Sequence, residues 1–251
     1  HVLLAANLFT LEGRDELLIN AVSNLGTLAA MLIYFRKDVA AATLGGFELI
    51  GAGFNKTALS RGAKLALCII VATPIALIAA IAHEVLVPDA VQAQLRSVWT
   101  VAAATIGFGL LLWWADVAGG KNRTEADMTL GHAVLIGATQ AIAAIIPGTS
   151  RSGITMTAAR ALGYARTDAA RLAMLMSIPT IIASGVFSAG EVIATADAQT
   201  AKDGAIAAAL SFVAALAALS LMFKLLKSVS FTPYVLYRVA LGAILLVIAY
   251  T

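Results

Sequence analysis

Seven apolar runs, near residues 21–35, 65–82, 98–115, 130–146, 172–190, 205–223 and 234–250, constrain this chain more than any other feature. Each is close to the length that crosses a hydrocarbon core of about 30 Å as a helix. Backbone in lipid must satisfy its own hydrogen bonds, so runs of this kind fold as helices. Composition agrees: 12% of the residues are charged and 61% are hydrophobic, with a mean hydropathy of +0.91. A soluble domain carries about 25% charged residues. The expectation is an all-α polytopic integral membrane protein, one membrane domain over residues 1–251, with the lipid bilayer as its surroundings. Glycine and alanine recur at spacings that suit close helix packing in lipid, as at Gly242 and Ala243. The net charge of +3 reads as loop charge and gives no sign of a nucleic-acid partner. Cys68 is the single cysteine, which excludes an internal disulfide.

Lysine and arginine in the connecting segments orient the runs. Segment 36–64 carries Arg36, Lys37, Lys56, Arg61 and Lys64, whereas 83–97 carries only Arg96. Segment 116–129 has Lys121 and Arg123, 157–171 has Arg160, Arg166 and Arg171, 191–204 has Lys202 alone, and 224–233 has Lys224 and Lys227. Rich segments belong inside and poor ones outside. One run breaks the alternation, because both flanks of 130–146 are rich. Residues 130–163 are therefore expected to enter from the cytoplasmic side, turn at Pro147-Gly148 and return as a re-entrant hairpin, leaving six transmembrane helices. Pro147 has no N–H and Gly148 tolerates unusual dihedrals, so a helix ends there naturally. Irregular backbone at membrane depth survives only in contact with protein or a water-filled cavity, so the turn should face a wet pocket.

That turn lies in IIPGTSRSGITM, residues 145–156. Ser150, Arg151 and Ser152 would stand just before a short helix beginning near Gly153. A helix amino terminus offers free N–H groups and a positive dipole end, which suit phosphate. Arg151 adds a planar fork for phosphate oxygens. Thr149, Ser150, Ser152 and Thr155 add hydroxyls, and Gly148 and Gly153 let a ligand approach the backbone. An ionisable residue at membrane depth costs about 2.5–3.5 kcal/mol on insertion scales and so marks function. The plainer alternative is an interfacial loop whose arginine snorkels. Two other phosphate sites are excluded. There is no G-x-x-x-x-G-K-[ST] sequence, and no histidine follows residue 132, as a haloperoxidase-like lipid phosphatase would need.

The same motif, with AVSNLGTLAAMLIYFRKDV upstream, the IGATQAIAAIIPG approach and the carboxy-terminal SFTPYVLYRVALGAI, resembles the undecaprenyl-diphosphate phosphatase, or bacitracin-resistance, family over nearly the whole chain. The resemblance implies a multi-pass enzyme of the bacterial inner membrane that hydrolyses undecaprenyl diphosphate to the monophosphate and so recycles the lipid carrier of cell-wall synthesis. It implies an inverted repeat of six spanning helices and two re-entrant hairpins, whose tips meet at a pocket facing the periplasm. By position, Ser150, Arg151 and Thr155 take the family's polar places in this motif, with Gly148, Thr149, Ser152 and Gly153 around the phosphate. His1 takes the place of the histidine closing the family's first motif and would act as nucleophile or as acid/base. The substrate partner is a polyprenyl diphosphate lipid, and a second copy of the chain is a candidate partner.

The family also uses an E-x-x-x-E pair that would hold a divalent cation, magnesium or calcium. Glu12 and Glu16 have that spacing but follow His1 instead of preceding it, and with Gly13, Arg14 and Asp15 they read as a solvated loop. The acidic pair is thus expected upstream of His1, the first hairpin is expected to be truncated, and no metal ligand is assigned within 1–251. Two rival readings are a transporter or flippase of an anionic polyprenyl lipid, built on broken helices at mid-membrane, and a relic made inactive by loss of the acidic pair. Outside the motif, Asn24 and Gln140 either line the pocket or bond between helices. His83 and His132 read as helix-end residues. Trp99, Trp113 and Trp114 read as interfacial anchors, and Pro74 and Pro179 as kinks. Arg238, four residues after Tyr234, is expected to pair with a carboxylate or a lipid headgroup in a structural role.

Overall fold

The structure, a computed structural model, describes residues 13–52, 59–120, 122–193 and 198–250. The described residues form ten α-helices and one short 3-10 turn. The helices are α1 (Gly13–Tyr34), α2 (Arg36–Ala52), α3 (Arg61–Leu86), α4 (Asp89–Leu95), α5 (Val98–Ala118), α6 (Leu130–Ile145), α7 (Arg151–Ala161), α8 (Arg166–Ile193), α9 (Ala198–Leu225) and α10 (Thr232–Tyr250), with the 3-10 turn at Glu125–Asp127. Among the described residues the sole β-like pairing is a parallel bridge between Arg123 and Tyr164. Among the described residues four helical segments are long and apolar enough to cross a membrane: Arg61–Leu86, Val98–Ala118, Gly204–Leu225 and Thr232–Tyr250. Their outward residues are apolar, including Ile78 on α3, Trp114 on α5, Val213 on α9 and Val247 on α10. That arrangement suits lipid rather than water. The chain is an all-α, multi-pass membrane protein.

Polar residues at the helix starts set the boundaries. Ser60 Oγ accepts from Ala63 N–H at 3.1 Å before α3, Ser97 Oγ from Thr100 N–H at 3.3 Å before α5, and Thr129 Oγ1 from His132 N–H at 3.2 Å before α6. Each satisfies one of the four donors that a helix start leaves without an acceptor. Pro74 and Pro179 lie inside α3 and α8. Trp99, Trp113 and Trp114 lie near the two ends of α5 and are exposed, as interfacial anchors are.

The described residues divide into two compact units. The first combines the chain up to Arg36 with Ile178–Phe223. In it α1 meets α9 at Gly26, where a Cβ would lie 2.3 Å from Ala208 O. Tyr34, Phe35 and Phe223 close its end with ring centroids 5.0–5.5 Å apart.

The second unit combines Lys37–Ser177 with the chain from Lys224 onward. Here α6 packs on α3, α5 on α10, and α7 on both α5 and α6. Small residues permit the close approaches. A Cβ at Gly137 would lie 2.6 Å from Ala72 of α3, and one at Gly242 would lie 2.5 Å from Ile106 Cγ1 of α5.

Three expectations need correction. Residues 36–52 are a 17-residue helix, not loop. The stretch contains no proline, and its opening charge is held in ion pairs: Asp38 accepts from Arg171 Nη2 at 2.6 Å and from Arg61 Nη2 at 3.2 Å. Segment 83–97 is mostly helical, with α3 running to Leu86 and α4 covering Asp89–Leu95. Residues 13–16 are the first turn of α1 instead of a solvated loop, and Glu12 lies outside the described residues.

Candidate phosphate-binding site

Helix α6 ends at Ile145, and Ile146 turns to an extended conformation (φ −112°, ψ 103°). Gly148 then adopts φ +87° and Ser150 φ +67°. At Gly148 the dihedral demands glycine, and so does space, because a Cβ would lie 2.5 Å from Val101 O. Ser150 is the only non-glycine residue with positive φ among the described residues. Such a conformation costs on the order of 1–3 kcal/mol and persists where surrounding structure enforces it, often at functional sites. Ser150 caps α7: its Oγ accepts from Gly153 N–H at 3.2 Å and its carbonyl accepts from Ile154 N–H at 2.9 Å. Because Oγ accepts, the hydroxyl proton of Ser150 remains available to donate outward.

The two legs return to one place. Arg123 N–H donates to Gly163 O at 3.1 Å, and Ala165 N–H donates to Arg123 O at 2.8 Å. Tyr164 OH lies 2.7 Å from His132 Nδ1, so the first turn of α6 touches the segment that follows α7. Residues 130–163 thus form a helix–turn–helix whose ends are latched together and whose tip carries PGTSRSG. Burial of Tyr164 pushes its hydroxyl up to about 12.

The residues singled out in the motif each have a definite place. Arg151 and Ser152 lie half-buried on the first turn of α7. Thr149 is fully buried, and its Oγ1 has no hydrogen-bond partner. Thr155 is also buried. Its hydroxyl donates back to Arg151 O at 2.9 Å and Ser152 O at 3.0 Å, so it braces the first turn of α7 rather than facing outward. Gly153 is buried at the same turn. Gln140 is buried on α6, and both atoms of its amide are unpartnered. Asn24 is exposed on α1. His1 lies outside the described residues. His83 lies in the last turn of α3, as expected, with Nε2 buried and unpartnered.

Two residues at the tip were not assigned to it from sequence. Arg238 on α10 is only 4% exposed, and among the described residues its acceptors are backbone carbonyls instead of a carboxylate. Its Nη2 donates to Gly148 O at 2.8 Å and Thr149 O at 3.0 Å, and its Nε donates to Thr105 O at 3.2 Å. Thr105 Oγ1 also donates toward Val101 O at 2.7 Å and Gly148 O at 3.3 Å. The signal for Arg238 was its charge inside an apolar helix. Thr105 gave none. Arg160, which sequence places among the loop charges, is instead fully buried in α7, where its Nε donates to Asp116 Oδ1 at 2.9 Å.

The tip presents a helix amino terminus, a guanidinium, hydroxyls and glycines. These are donors to an anion. They offer no carboxylate or imidazole to a cation, and no group of three His, Cys, Asp or Glu side chains gathers among the described residues.

Comparison with known proteins identifies the family. Residues 1–244 match the family described as bacitracin resistance protein BacA. A protein of Hyphomonas neptunium named undecaprenyl-diphosphatase is 57% identical over 249 residues, covering 98% of this chain and 87% of the relative. Proteins of the same name from Jannaschia sp. and Ruegeria pomeroyi are 55% and 51% identical, each covering 100% of this chain and 90% and 91% of the relatives.

Proposed function

Since the chain belongs to the bacitracin resistance protein family, we propose that it hydrolyses undecaprenyl diphosphate to undecaprenyl phosphate and inorganic phosphate. The carrying observation is the tip of the α6–α7 hairpin, where a strained Ser150 caps the helix that Arg151 begins. Relatives 51–57% identical to this chain bear the name of this activity. In this reading the hairpin is re-entrant and the enzyme lies in the bacterial inner membrane, with its pocket facing the periplasm. The released monophosphate returns as lipid carrier for cell-wall synthesis, and a homodimer is a compatible assembly.

The reaction joins a water oxygen to the terminal phosphorus. It breaks the bond from that phosphorus to the bridging oxygen, which leaves with the lipid monophosphate. Arg151 would clamp the non-bridging oxygens bidentately. The α7 dipole and first-turn N–H groups would stabilise the charge that builds on them. Ser150 would donate its free hydroxyl proton. Thr149, Ser152, Gly148 and Gly153 would shape the phosphate seat, and Thr155 would hold its backbone. His1 would attack phosphorus itself or take the proton from water. The divalent cation implied by the resemblance supplies Lewis-acid charge neutralisation when bound. The tip's donors do not suit it, so its ligands would come from elsewhere in the protein.

Release of inorganic phosphate from undecaprenyl or farnesyl diphosphate by the full-length protein tests this. Robust release that falls at least 100-fold in Arg151→Ala is expected. No release by the wild type under any divalent-cation condition would defeat the reading.

A further inference from the structure

Helix α2 carries its polarity inside out. Both of its carboxylates turn toward the protein: Asp38 accepts from Arg61 and Arg171, and Glu48 Oε2 accepts from Ser60 Oγ at 2.6 Å. Leu44, Phe47 and Ile50 point the other way and are 71%, 68% and 82% exposed. Lys37 is exposed near the start of the helix, so the outer face carries no negative charge. Three large apolar side chains laid bare over about two turns mark a surface that meets lipid or another apolar partner.

The contacts of α2 fix its direction. Asp38, Ala41, Gly45 and Glu48 all meet the first turn of α3. A Cβ at Gly62 would strike Ala41 O, one at Gly45 would strike the backbone of Gly62 and Ala63, Arg61 donates to Asp38, and Ser60 donates to Glu48. Those four residues extend over about 15 Å of α2, yet their partners, residues 60–63, extend over only about 4.5 Å of α3. Helices lying side by side would advance along each other together, so α2 crosses α3 steeply. Because α3 is long and apolar enough to cross the membrane, α2 lies near the membrane plane. Its 17 residues, about 25 Å, are also short of a span.

The side of α3 that α2 occupies follows from helical periodicity. Ala80 and Ile81 stand 18 residues beyond Gly62 and Ala63, about five turns on, and so take the same positions around the helix. Both are exposed, whereas Ala72, which meets α6 at Gly137, lies on another face. Helix α2 therefore covers the start of a lipid-facing stripe. Phe47, two residues past Gly45, stands on its far side and faces outward.

We propose that α2 is an interfacial helix. It lies in the boundary between headgroups and acyl chains, at the end of the bundle where α3 begins, with Leu44, Phe47 and Ile50 inserted among the lipid chains. A helix of this kind sinks its apolar face about 5–10 Å into that boundary. The placement rests on α3 crossing the membrane and not on the proposed reaction. It bears on the hairpin as well, because Arg61, which holds Asp38, also donates to Glu125 Oε2 at 2.8 Å just ahead of α6.

The test uses the full-length protein in lipid vesicles, with Cys68→Ala and one introduced cysteine carrying a fluorophore. Phe47→Cys and Ile50→Cys report on α2, and Ile70→Cys reports on the exposed face of α3 within its span. Fluorescence is quenched from the lipid by nitroxides held at a shallow or a deep position, and from the water by iodide. Thermal unfolding selects the folded variants, and either α2 position suffices. The α2 labels should be quenched about twofold or more better by the shallow nitroxide than by the deep one, the Ile70 label better by the deep one, and iodide should reach the α2 labels only weakly. Strong iodide quenching without lipid quenching places the face in water and overturns the proposal. Deep quenching equal to that of the Ile70 label makes α2 a span and overturns it too. Labels reached by neither quencher show a second copy of the chain covering the face, which likewise overturns it.

Discussion

Arg160 donates its Nε to Asp116 Oδ1 at 2.9 Å, with the two side chains 0% and 1% exposed. Asp116 also accepts from Arg166 Nε at 2.8 Å and from the Phe231 N–H at 3.2 Å. Arg160 donates further to the carbonyls of Gly120, Asp116 and Tyr164. One carboxylate thereby joins the end of α5, the end of α7, the start of α8 and the turn before α10. Such a pair is neutral as a unit and costly when halved. Asp116→Ala should lower unfolding stability by about 3–5 kcal/mol, the range for a buried pair broken on one side. Asp116→Leu with Arg160→Met should recover much of that loss. Thermal unfolding in detergent reads both, and a double variant no better than the single would show the ionic network to be worth more than its desolvation cost.

Ser150 allows strain and chemistry to be separated. Glycine at this position removes the penalty of φ +67° and loses only the cap, whereas alanine keeps the penalty and loses the cap as well. Ser150→Gly should therefore unfold at a higher temperature than Ser150→Ala, by an amount on the order of 1 kcal/mol. Both should lose phosphate release about 10-fold or more, since neither supplies the outward hydroxyl proton. A variant that keeps full turnover removes Ser150 from the chemistry.

Gly137 carries the contact that seats α6 against α3. A Cβ there would lie 2.6 Å from both Cα and Cβ of Ala72, so backbone must shift to admit it. Gly137→Val should destabilise by about 1–3 kcal/mol, the usual cost of overpacking a tight contact. Replacement of the exposed Leu135 by valine on the same helix should change unfolding by no more than about 0.5 kcal/mol.

Tyr164 gives stability a dependence on alkaline pH. Burial raises its hydroxyl from the ordinary 10.0 to about 12. Between those values the unfolded chain has released the proton that the folded chain still holds. Fewer protons bound in the unfolded state means stability falls as pH rises through this window, and the contribution is complete below about pH 10. The unfolding temperature of Tyr164→Phe, measured from pH 9 upward, should decline less steeply than that of the wild type. Parallel declines would show that the hydroxyl titrates freely in the folded protein.

Much of this was legible in the chain itself, and the exceptions have physical causes. The break at Pro147-Gly148 could be read because proline and glycine act locally, within one turn. The folding back of residues 130–163 followed from charge on both flanks. The count behind it nevertheless included Arg160, which is buried against Asp116, and so the segment carries less free charge than its composition suggests. Helix α2 was hidden for a related reason. Arg36, Lys37 and Asp38 look like a loop, yet Asp38 is held by Arg61 and Arg171, partners 23 and 133 residues away in sequence. Arg238 was noticed for its charge, but its acceptors are backbone carbonyls of another segment, which no side-chain pattern encodes. Gly153 was chosen to let a ligand in, and that Arg238 packs against its bare Cα is a fact of tertiary structure alone.

The latch between Arg123 and Tyr164 also sets a schedule for making the protein. Neither leg of the hairpin is closed until Tyr164 has been synthesised, 41 residues after Arg123. At about 5–20 residues per second, the ribosome needs roughly 2–8 s to cover that distance. For those seconds α6 exists without α7, and the polar atoms of Gln140 and Thr149 have not yet been enclosed by the finished hairpin. Helices α6 and α7 can therefore pack against one another only as a pair completed late, once the residues of both have been made.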